Sequence, residues 1–67
     1  MPLYYFHIRR GQVTVLDHEG AELTDLAEAE KEAMRRGQQI VAHEGASNQS
    51  SIIVADQNWQ RLREVPF

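Results

Sequence analysis

Only one stretch of this chain, from Thr24 or Asp25 to about His43, spaces its apolar residues at a helical period; the segments on either side alternate at a period of two. At about 100° per residue, Leu26, Ala29, Ala33, Gly37, Ile40 and Val41 fall on a single stripe with Met34 at its margin, set among good helix formers. One apolar stripe covers one face of a sheet. The spacing therefore predicts a single α+β domain over residues 1–67, in the order ββαββ: an antiparallel sheet of two hairpins with one helix packed on a single face.

Leu3 to Arg9 and Val13 to Leu16 read as the first hairpin, with Gly11 supplying the left-handed backbone of the turn and Pro2 standing where no ladder hydrogen bond is owed. Ser51 to Ala55 and Trp59 to Val65 read as the second, turning at Asp56-Gln57-Asn58 and stopped by Pro66. Either Thr24 or Asp25 can cap the helix, the latter with Glu28 in a capping box, and Gly45 suits its end. Ala46-Ser47-Asn48-Gln49-Ser50 is a polar loop. Gly37 costs the helix about 1 kcal/mol against Ala, which implies a close approach of helix to sheet. Glu30 projects near the same stripe and is expected at its edge, with its carboxylate in reach of solvent.

Alternation sorts the strands into two faces. Tyr4, Phe6, Ile8, Val13, Val15, Ile52, Val54 and Leu62 form the set assigned to the helix-covered face. Leu3, Tyr5, His7, Arg9, Thr14, Leu16, Ile53, Trp59, Arg61, Arg63 and Val65 form the other, which must be open to solvent or covered by another chain.

A core of 67 residues is marginal, and the absence of cysteine removes disulfides and cysteine-based zinc sites as reinforcement, so self-association is an expected substitute. Seven Lys+Arg against ten Asp+Glu give a net charge of −3, which argues against a general affinity for phosphate backbones. Seven of the acids lie between Asp17 and Glu32, while all six arginines lie outside that stretch. The apolar run Ile52–Ala55 is far too short to span a bilayer, and Met1–Phe6 has neither the basic region nor the cleavage site of a secretory signal. A cytoplasmic protein with no membrane association is expected.

The opening Pro2-Leu3-Tyr4-Tyr5-Phe6-His7-Ile8-Arg9-Arg10-Gly11, the segment Asp17-His18-Glu19-Gly20-Ala21-Glu22-Leu23, the acidic Ala/Glu/Arg helix and the ending Val65-Pro66-Phe67 resemble a family of small bacterial proteins of unknown function. Tyr4, Tyr5, Phe6, His7, Gly11, Asp17, Gly20 and Leu23 match its pattern, and Arg10 stands where that pattern has Asp. The resemblance supports the fold and implies no activity. Gly20 through Ala33 is also similar to the helix entry of HicB-like antitoxin domains, which neutralise a small RNA-cleaving toxin. That likeness implies a nucleic-acid-linked regulator as an alternative.

His-Glu-Gly-Ala occurs twice, at His18–Ala21 and His43–Ala46, and His7 is a third imidazole; no H-E-x-x-H spacing accompanies them, so neither a metal site nor a cofactor is expected. His7 on an aromatic strand reads as a packed or contacting residue rather than a general base, and the serines at 47, 50 and 51 lack a nucleophile elbow. No enzyme is expected. The reading that remains is an interaction module that self-associates as a dimer or binds a protein through Tyr5, His7, Arg9, Ile53, Trp59, Arg61 and Arg63. The same aromatic and arginine composition could instead stack and pair single-stranded nucleic acid.

Overall fold

The computed structural model describes residues 1–45 and 50–67. Its first strand, β1 (Leu3–Arg10), is an inner strand of a five-stranded antiparallel sheet that also contains β2 (Val13–Val15), β3 (Ala21–Glu22), β4 (Ser50–Ala55) and β5 (Arg61–Pro66). The path across the sheet is β2-β1-β4-β5. On one side β1 pairs with β4, from Tyr5 opposite Ala55 to Arg10 opposite Ser50. Its other side is shared, with β2 against Ile8–Arg10 and β3 against Leu3 and Tyr4. The expected ββαββ order is thus corrected to βββαββ, and the two hairpins are joined within one chain through β1 and β4.

Gly11 has φ 59° and Gln12 does not share the positive sign, the combination a type II′ hairpin turn requires. Between β2 and β3 the chain leaves the ladder, and a side chain takes its place: Asp17 Oδ2 accepts the Phe6 N–H at 3.1 Å. The short β3 exists because Asp17 also accepts from the N–H groups of Glu19 and Gly20, at 3.0 and 3.2 Å, which turns the chain back towards β1.

Helix α1 (Leu26–Glu44) is capped by Asp25, whose Oδ1 accepts the Glu28 N–H at 3.0 Å, and its last turn is closed by the Gly45 N–H on the Val41 carbonyl at 2.9 Å. It lies across β4 and β5. Ala29, Ala33 and Gly37 are its buried residues and meet Tyr4, Phe6, Ile52 and Val54 in the core, with Leu26, Leu62, Val65 and Phe67 packed around them. The expected close approach occurs at Gly37, where a Cβ would stand 2.9 Å from the Phe67 Cβ. Phe67 is itself held by its N–H on the Ser50 carbonyl at 3.0 Å. Glu30 sits at the stripe's edge, 2.7 Å from Arg63 Nε, and Arg10 makes a two-pronged pair with Glu44 at 2.8 Å, so ion pairs tie both ends of α1 to the sheet.

Several assignments to faces need correction. The register shifts between Val54 and Ala55, which face Arg63 and Arg61, so Leu62 is an extra residue in β5. This bulge breaks the alternation. Arg63 and Val65, in register with Val54 and Ile52, belong to the helix side along with Leu62, and Trp59 precedes the strand. Val13 and Val15 are 64% and 58% exposed instead of buried, because α1 does not extend over β2. Ser50 is a buried strand residue, while 46–49 of the expected loop fall outside the described residues.

Candidate functional site on the open sheet face

Trp59 is the one non-glycine residue with positive φ, 65°, among those described. A compact turn imposes this: Asp56 Oδ1 accepts the N–H groups of Asn58 and Gln60, both at 2.9 Å, while the Trp59 N–H donates to the Asp56 carbonyl at 2.9 Å. The indole is thereby laid over β1. Its ring stacks on Tyr5 at 4.8 Å and 16° and on His7 at 5.1 Å and 12°, with His18 tilted against it at 6.1 Å. Tyr5 and His7 are two residues apart on one strand with their rings nearly parallel, at 6.3 Å and 7°, and the one flat indole stacks on both.

His7 is buried beneath this layer, at 6% exposure, whereas Trp59 above it is 47% exposed. The His7 Nδ1 accepts the Asp17 N–H at 3.0 Å, which leaves the neutral ring's proton on Nε2. Burial holds the imidazole below its ordinary pKa; the Asp17 carboxylate opposes that shift and His18 adds to it. Burial pushes the Asp17 carboxyl upward, but the N–H groups of Phe6, Glu19 and Gly20 outweigh it and leave the group below the usual range. A neutral imidazole and an ionised carboxylate at the edge of β1 are the result.

The expected residues divide among several places. Tyr5, His7 and Trp59 form one layer, with Ile53 in register beside His7 but 5% exposed, and so unable to offer surface to a partner. Arg9 lies in register with Ser51 at the rim, 3.4 Å from Glu64, which also accepts the Ser51 hydroxyl at 2.7 Å. Arg61 is exposed opposite Ala55 and makes no ion pair among the described residues. Arg63 is on the other side of the sheet with Glu30. Alternation alone leaves the open face with two possible states, solvent-exposed or covered by a second chain; a third is observed, partial cover by the protein's own Trp59.

Asp17 and Glu64 were not among the expected site residues. The run Asp17-His18-Glu19-Gly20 carried a signal for the first, since an Asp three residues before Gly commonly bonds the backbone ahead of it. Glu64 becomes part of this face only through the bulge. His7 and His18 flank the same indole while His43 is exposed at the end of α1, and no group of three or more His, Asp or Glu among the described residues is placed to hold a metal ion. No helix among them is long and apolar enough to cross a membrane.

No curated protein and no solved structure matches the chain. A family match covers residues 3–67, including every residue of the stacked layer and of the Asp17 turn. The chain therefore belongs to the family described as a domain of unknown function, DUF6894.

Proposed function

We propose that this protein is a non-enzymatic interaction module that binds protein through the open sheet face, with Trp59 as its anchor. The observation that carries this reading is the half-exposed indole held in a left-handed backbone over Tyr5 and His7. Bulky residues in that conformation cost about 1–3 kcal/mol and persist where surrounding structure enforces them, often at recognition sites. A flat aromatic surface fixed in advance loses little entropy on binding, and Trp, Tyr and Arg are the residue types on which interface energies concentrate.

Nucleic acid is the second reading, and the charges on this face weigh against it. Glu64 neutralises Arg9 and Arg63 is engaged on the opposite side, so Arg61 is the one expected arginine without an ion pair among the described residues. Affinity capture from the native cell with wild-type, Trp59→Ala and Trp59→Phe baits tests the proposal. A partner retained by Trp59→Phe and lost by Trp59→Ala is expected; equal recovery on all three baits overturns it. Binding of single-stranded RNA that weakens with salt and with Arg61→Ala would favour the second reading.

A further inference from the structure

The two outer edges of the sheet are built differently. β5 carries Arg61, Arg63, Glu64 and Pro66, the charged and proline residues that discourage a further strand from pairing. β2 is Val13-Thr14-Val15, with no charge and no proline, and its valines are 64% and 58% exposed. Leu16, next in sequence, is 50% exposed. The sheet is guarded at one edge and bare at the other.

The hairpin geometry identifies which backbone groups the bare edge presents. The two-residue turn Gly11–Gln12 closes on the pair Arg10 and Val13, which in such a hairpin exchanges both of its hydrogen bonds. The next pair, Arg9 and Thr14, is then of the non-hydrogen-bonded kind, so the Thr14 N–H and C=O point away from β1. A strand added here meets both groups of Thr14.

We propose that the occupant is a second copy of this chain, paired antiparallel through β2 about a two-fold axis at Thr14. Such an axis, perpendicular to the sheet, keeps each residue on its own face and so allows only registers in which facing positions sum to an even number. A register centred on Thr14 meets that condition, and the segment reads the same in both directions: Val13 faces the partner's Val15, Thr14 faces its counterpart, and Val15 faces the partner's Val13. Each Thr14 N–H donates to the other copy's Thr14 carbonyl. The valines of both copies then form a four-residue cluster on the helix side, bordered by Ile8, which is in register with Val15. Threonine and valine at facing positions are favourable cross-strand pairs. This contact is separate from the Trp59 face and does not depend on it.

An interface made by one short strand falls below standard size, so dissociation lies in the micromolar to millimolar range. Sedimentation velocity on the full chain from roughly 10 µM to roughly 1 mM is expected to show a monomer–dimer equilibrium. Thr14→Lys, which sets like charges opposite each other at the axis, should raise the dissociation constant at least about tenfold. Thr14→Pro should do the same by deleting the outward N–H, and Trp59→Ala should leave the equilibrium unchanged. Amide exchange followed by NMR should show protection of Thr14 that rises with protein concentration. A chain monomeric throughout, a dimer in which the Thr14 amide gains no protection, or one that survives Thr14→Lys in a variant with an unchanged circular-dichroism spectrum overturns the proposal.

Discussion

At the scale of the residue, Trp59 sets two terms against each other. A left-handed backbone costs a non-glycine residue about 1–2 kcal/mol, while an aromatic stack returns about 0.5–1.5 kcal/mol beyond the area it covers, and this indole contacts two rings. Replacing it separates the two. Trp59→Ala loses the stacking and keeps the strain, whereas Trp59→Gly loses the stacking and releases the strain. In urea unfolding, Trp59→Gly is expected to be the more stable of the two variants by about 0.5–1 kcal/mol, despite glycine's larger unfolded-state entropy. The reverse order would mean that the turn around Asp56 does not impose the conformation. Nothing in the sequence marks this residue as left-handed, because alternation treats Trp59 as the first residue of a strand and places its side chain by parity.

At the scale of elements, what was legible depended on whether a pattern ran uninterrupted. Helix α1 repeats its stripe over five turns, and β1 and β4 alternate without irregularity, so Ala29, Ala33, Phe6, Ile52 and Val54 fall where their spacing puts them. β5 contains the bulge at Leu62, which reverses parity and sends Arg63 and Val65 to the other face. The exposure of β2 depends on how far one helix reaches across the sheet, a tertiary quantity absent from local spacing. Gly37 was readable because its cost to the helix demands a reason, and the reason can be tested. Gly37→Ala gains about 1 kcal/mol of helix propensity but drives a methyl into Phe67, an overpacking that costs about 1–3 kcal/mol. Net destabilisation is expected in the wild-type background and net stabilisation in a Phe67→Gly background, which removes the obstructing Cβ together with the ring, measured as a double-mutant cycle in urea. Destabilisation in both backgrounds would place the obstruction elsewhere.

At the scale of the whole molecule, four displaced titrations act in the same direction: those of His7, Asp17 and Glu32, and that of Glu44, whose carboxyl the Arg10 guanidinium holds below its ordinary range. The folded His7 has a pKa below its ordinary 6.5, so the folded state binds fewer protons than the unfolded chain there; the stability it contributes is complete above pH 6.5 and is lost as pH falls from that value through the folded one. Asp17 and Glu32 are also lowered, from 3.8 and 4.5, and Glu32 reaches about 2 because Arg35 and Arg36 donate to it against the cost of its own burial. Their contributions are complete above those ordinary values and fade as pH drops through the folded ones. Acid should therefore weaken the fold in two steps, one below neutrality and a second below about pH 4.5. The urea midpoint is expected to fall already between about pH 7 and about pH 5.5, where a carboxylate with an ordinary pKa is still about nine-tenths or more ionised. His7→Gln retains an acceptor for the Asp17 N–H but cannot ionise, so it should flatten that first step even if its midpoint at about pH 8 is lower. A first step of equal size in His7→Gln would remove the Tyr5–His7–Trp59 layer from the acid response of the fold.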